Sequence, residues 1–117
     1  VPHSVEEFHD RLQRVLYAHA LKLLAHGVDV VLEDGLWTKP ERTEKLAAAS
    51  RLNVRTHLHF FDLSLDTLRA RIEERNASLP QGAVPVRIDD PTRWHQTVFE
   101  PPSATEFALF DEVTIHR

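Results

Sequence analysis

Apolar residues in the first quarter of the chain recur at Val5, Phe8, Leu12, Leu16 and Leu23, spacings close to the 3.6-residue period of one helical face. Ser4 with Glu7 makes a capping box at the start of this pattern, and Gly27 supplies a stop, so a long amphipathic helix over residues 4–26 is predicted. The pattern then changes to a short aliphatic run, Val28 to Leu32, read as a buried parallel strand that ends on Glu33, Asp34 and Gly35. A second capping box, Thr38 with Glu41, opens a helix expected to reach about Leu52, with Pro40 in the first turn, where a missing amide hydrogen is tolerated.

Asn53 turns the chain into a β-branched and aromatic stretch, Val54 to Phe61, predicted as a second strand ending at Asp62. Ser64 caps a third helix with Leu65, Leu68 and Ile72 on one side and Arg69, Arg71 and Arg75 on others. From Ala77 to Ile88 the order dissolves into Ser-Leu-Pro-Gln-Gly and Val-Pro-Val, suited to a mobile flap. Asp90-Pro91 restarts a short helix through Trp94 towards Phe99, and Pro101-Pro102 ends it. Ser103 with Glu106 makes a third capping box, and Val113 to Ile115 forms a closing strand. Alternation of helices and strands predicts an α/β domain with a parallel sheet.

The length of 117 residues allows one domain, spanning 1–117, with the lid-like segment at about 76–98. With 42% apolar and 27% charged residues the composition is that of a globular protein rather than a disordered chain. A net charge of -4 argues against a broad nucleic-acid footprint. The lack of cysteine removes disulfides and thiolate chemistry and fits a cytoplasmic setting. No apolar run approaches the ~18 residues of a membrane span, so no membrane partner is expected.

In open α/β sheets the ligand crevice lies outside the carboxyl ends of the strands, which makes Glu33 and Asp34 candidate catalytic acids. Either could take a proton from an acceptor hydroxyl or hold magnesium through water; alternatively one merely caps the turn at Gly35. Arg71 and Arg75, four apart and so on one helical face, stand at the entrance to the flap as candidate cofactor-binding groups, or as a solvated face. Trp37 and Trp94 could line a substrate pocket or pack on helix ends. Eight histidines raise a metal reading, yet no His-Glu-x-x-His or similar spacing occurs, so no metal site is expected from them.

Several blocks, Gly27-Val-Asp-Val-Val-Leu-Glu-Asp-Gly-Leu-Trp37, the following Thr-Lys-Pro-Glu-Arg, Leu58-His-Phe-Phe-Asp-Leu, Leu68 to Asn76 and Phe99-Glu-Pro-Pro102, resemble in order and spacing the P-loop ATP-binding proteins of the zeta-toxin-like, small-molecule kinase group, which belong with the AAA family ATPases. The resemblance implies a three-layer P-loop kinase fold that uses ATP and Mg2+ to phosphorylate a small hydroxylated acceptor. In that family the strand usually ends in aspartate, a hydrophobic residue and Gly-aromatic-Trp; here Glu33 holds the first position and Asp34 the second. The spacing of Arg71 and Arg75 is similar to that of lid arginines, of which the first packs on adenine and the second reaches phosphate.

The chain departs from the family in its phosphate loop. Its three glycines, Gly27, Gly35 and Gly82, form no Gly-x-x-x-x-Gly-Lys-[Ser/Thr]. The expected fold is therefore incomplete at the N-terminus, with first strand, P-loop and first helix absent, and the chain alone is expected to be inactive. It is then a fragment of a kinase-like protein, a chain whose loop comes from another chain, or a non-catalytic interaction module. Apolar surface and sheet edge left unpaired would favour association, including a homodimer.

Overall fold

The computed structural model describes residues 5–33, 35–85 and 98–117. Helix α1 spans Val5–Ala25, α2 Lys39–Arg51, strand β1 His57–Phe61, α3 Leu65–Ala77, the single-turn α4 Ala104–Phe107 and strand β2 Glu112–His116. The strands pair in parallel, with His57 opposite Glu112 and Phe61 opposite His116. The predicted α/β class and parallel pairing are thus present, in a two-stranded sheet.

The helix ends follow from local chemistry. Side-chain oxygens of Thr38, Ser64 and Ser103 accept the amides of Glu41, Thr67 and Glu106 respectively, satisfying donors that a helix start leaves orphaned. At the other end of α1, Gly27 sits at φ 81° while the amides of Gly27 and Val28 return to the carbonyls of Leu24 and Leu23. The same Schellman pattern closes α2, with Asn53 at φ 55° and Val54 bonded back to Ala49.

Two expectations are corrected. Residues 28–32 are not a strand; beyond the bond of Val28 to Leu23 that closes α1, no backbone hydrogen bond joins them to another segment among the described residues. Val31 is 82% exposed. Aliphatic content favours a pleated surface only when a neighbouring strand supplies the ladder and the side-chain contacts, and no described strand lies alongside. The second strand also begins at His57 rather than Val54, because the amide of Val54 is used in the α2 cap and that of Thr56 donates to Asp111 Oδ2 at 2.7 Å. The helix expected from Asp90 through Trp94 lies outside the described residues, and Val98 and Phe99 are not helical. Of the flap, residues 78–85 are irregular as expected, with Gly82 at φ 85° and Ala83 bonded back to Pro80.

Burial is uneven. Among the described residues the buried apolar side chains are the small ones Ala20, Ala48 and Ala49. Phe8, Leu12 and Leu16, expected on the inward face of α1, are all exposed, as is Val15. Beneath β1 the packing is better: Phe60 lies 6.2 Å from the ring of Phe99 and 6.0 Å from that of Phe107. These contacts draw the 98–107 segment under the sheet and towards the start of α2. Lys45 Nζ stands 3.7 Å over the Tyr17 ring and links α2 to α1.

Candidate functional site

The turn from Glu33 to Trp37 carries the first candidate residues. Glu33 is exposed and makes no hydrogen bond or ion pair with any described residue; Asp34 lies outside the described residues. Gly35 has φ 89° and Leu36 φ 52°, so two successive residues occupy the left-handed region. For leucine this costs on the order of 1 kcal/mol, because Cβ crowds the following carbonyl. At Gly35 a Cβ would lie 2.6 Å from Nε1 of Trp37, so the indole folds back onto a position that only glycine can occupy. Trp37 remains 43% exposed. Trp94, the other candidate for a substrate wall, lies outside the described residues.

What holds the turn is Arg42, to which the sequence pattern assigned no role. Its guanidinium, 2% exposed, donates from Nε to Glu106 Oε2 at 2.5 Å and from Nη2 to Glu106 Oε1 at 3.2 Å. It also donates from Nη1 to the Leu36 carbonyl at 2.8 Å and from Nη2 to the Glu100 carbonyl at 2.7 Å. The Glu100 amide in turn donates to the Trp37 carbonyl at 2.8 Å. Glu106, 4% exposed, therefore spends its carboxylate on Arg42 while its amide is capped by Ser103. A buried guanidinium is tolerated when its charge is matched and its planar donors all find acceptors, and both conditions hold. One signal was available beforehand: Arg42 precedes Leu46 and Ala49 by four and seven residues, which places a charge on the inward stripe of α2.

The arginines of α3 are placed differently. Arg71 and Arg75 are both exposed, and Arg75 Nη1 donates to the Val84 carbonyl at 3.3 Å, tying the helix to the irregular segment after it. Among the described residues no hydrogen bond or ion pair joins either arginine to Glu33. An open hollow of about 340 Å³ between α1 and residues 30–33 includes Glu33 together with Leu16, Leu23 and Val30, and neither arginine lines it. A second hollow of about 500 Å³, between α2 and the residues leading into β1, is lined by Asn53, Thr56 and Asp111 and also lacks them. Among the described residues, neither hollow brings Glu33 together with Arg71 or Arg75.

Two further clusters flank the sheet. Asp111 Oδ2 accepts both the amide and the hydroxyl of Thr56, and these bonds, the amide first, hold its carboxyl below the ordinary value of 3.8. Desolvation opposes these bonds in part, and Arg55 adds a still smaller push in the lowering direction. On the outer face of β1, His57 and His59 stack at 4.0 Å, His59 Nδ1 lies 3.1 Å from His116 Nε2, and Phe61 stacks on His116. Among the described residues no three His, Asp or Glu side chains converge as a metal site would need, and no helix is long and apolar enough to cross a membrane.

A family model described as an AAA domain matches residues 3–98, most of the chain. No curated protein and no solved structure matches it.

Proposed function

Because the chain belongs to the AAA domain family, whose domains are of the P-loop NTPase type, we propose that it is the later part of a P-loop kinase-like domain of the zeta-toxin-like group. In this reading a three-layer sheet is completed by a first strand, P-loop and first helix outside these 117 residues. The whole domain transfers a phosphoryl group to a small hydroxylated acceptor. The exposed apolar side chains Phe8, Leu12 and Leu16 and the unladdered segment 28–33 support the need for such a partner layer.

The residues present do not fit a nucleotide by themselves. None of the three glycines belongs to a Gly-Lys-[Ser/Thr] loop, and no described set of carboxylates converges for magnesium. ATP and Mg2+ would be held by the added P-loop, and ATP would supply the phosphoryl group. This chain contributes Glu33 or Asp34 as proton acceptor and Trp37 and Trp94 as walls on the acceptor side, and Arg71 and Arg75, on α3 at the entrance to a lid of about 76–98, as cations for the nucleotide. The observation that carries the reading is the turn Glu33–Trp37, strained at Leu36 and locked on a buried arginine, within a family match. Strain of this kind persists where surrounding structure over-determines it, most often at functional sites.

A second reading, a non-catalytic module that dimerises through unpaired apolar surface or sheet edge, rests on the same exposed face of α1. Expression together with the flanking coding sequence, followed by thermal shift with ATP and magnesium, ATP turnover on hydroxylated small molecules and light scattering, separates the two. Nucleotide-dependent stabilisation and turnover are expected from the longer protein and neither from the 117 residues alone. A longer protein that dimerises but never binds nucleotide would replace the first reading with the second.

A further inference from the structure

We propose that Arg42 is a positioning residue, which sets the acid-bearing turn and ties it to residues 98–106. The inference rests on the P-loop reading only for what the turn is used for; the positioning itself stands on geometry.

Arg42 has five N–H donors in a rigid plane. Glu106 takes one edge and neutralises the charge, leaving the other groups to meet two main-chain carbonyls, Leu36 and Glu100, that belong to segments far apart in sequence. The guanidinium is 2% exposed, so a phosphate could not reach it, and a role as an anion ligand is excluded by burial. Its contacts instead end on backbone. The carbonyl of Leu36 is turned by the left-handed φ of 52°, and the bond from Nη1 favours that conformation over the ordinary ones. On its far side the Glu100 amide closes the bracket onto Trp37.

Three segments therefore meet at one side chain: the turn 33–37, the first turns of α2 and residues 98–106. Glu33 lies three residues before the pinned carbonyl, and Trp37 one residue after it. Residues 98–100 are thereby fixed against the turn through the guanidinium plane. A lysine could keep the charge pairing with Glu106, but its single ammonium cannot reproduce the planar fork onto Leu36 and Glu100. This difference separates positioning from simple ion-pair stabilisation.

The test uses the 117-residue chain carrying Trp94→Phe, so that Trp37 is its one tryptophan. Acrylamide quenching of Trp37 and hydrogen exchange at the Glu100 amide are read for Arg42→Lys and Glu106→Gln, with far-UV circular dichroism as the folding control. Arg42→Lys is expected to keep helix content, to raise Trp37 quenching about 2-fold and to speed exchange at Glu100 by ~10-fold, as the loss of one net hydrogen bond implies. Glu106→Gln leaves the buried guanidinium unmatched and is expected to lower stability, and so to speed Glu100 exchange, while Trp37 quenching in the folded chain stays near wild type, since the bonds to the carbonyls remain. If Arg42→Lys matches wild type in both readings, the proposal is overturned. Should Arg42→Lys fail to fold, Glu106→Gln decides: a retained turn supports positioning, and a released turn shows that Arg42 acts only through its ion pair. No nucleotide enters these measurements, so absence of ATP turnover in the longer protein would sink the proposed function while leaving this result intact.

Discussion

Two regions of the molecule place their charged and apolar groups in opposite ways. Around Arg42 a full charge is buried, every contact is a directed hydrogen bond, and segments separated by 64 residues are held together. Along α1 and residues 28–32, by contrast, large apolar side chains stand in solvent, Val31 and Val15 among them. The first region holds its geometry with the residues present. The second has the composition of an interior, yet among the described residues it lacks the neighbours to make it one.

The sharpest way to break this contrast is to remove one partner of the buried pair. Glu106→Ala leaves an unmatched guanidinium and should lower stability by about 3–5 kcal/mol in urea unfolding. A loss below about 1 kcal/mol would mean that water reaches Arg42 and that the node is not closed. Gly35→Ala comes next: the added Cβ meets Trp37, and the left-handed backbone is strained, for a loss of about 1–2 kcal/mol and a shifted Trp37 emission.

Removing the α2 cap by Thr38→Ala should cost about 1 kcal/mol, read as a lower thermal midpoint. On the other region, Val15→Lys should change the stability of these 117 residues by no more than about 0.5 kcal/mol; in the longer protein proposed above the same change should destabilise clearly, and equal effects in both would show that α1 gains no partner layer. The smallest effect concerns Asp111. Its folded-state acidity is strengthened, so its contribution is present above pH 3.8 and is lost as pH falls through the lower folded value. Asp111→Asn should remove that part of the acid dependence, as followed by unfolding midpoints from pH 5 down to 2.

Much of the fold was legible before any coordinates. The caps at Thr38, Ser64 and Ser103, the stop at Gly27 and the closing strand at Val113–Ile115 all lie where residue chemistry placed them. Each depends on partners within a few residues, or on β-branched content that met a partner strand. The aliphatic run from Val28 failed the second condition: its propensity was real, but a strand is a relation between two segments. Of the candidate site, Glu33 and Trp37 both stand exposed beyond that run, and among the described residues no hydrogen bond or ion pair joins Glu33 to Arg71 or Arg75.

The sequence by itself determined where helices begin and end, because those events are settled by hydrogen bonds over three to six residues. Only the tertiary structure decided what Arg42 and Glu106 do. Each reads locally as an ordinary charged residue near a helix start, and Glu106 as half of a capping box. Packing of Phe60 on Phe99 and Phe107 brings the two helix starts together, and desolvation then turns two surface-type charges into the bonded pair beneath the turn.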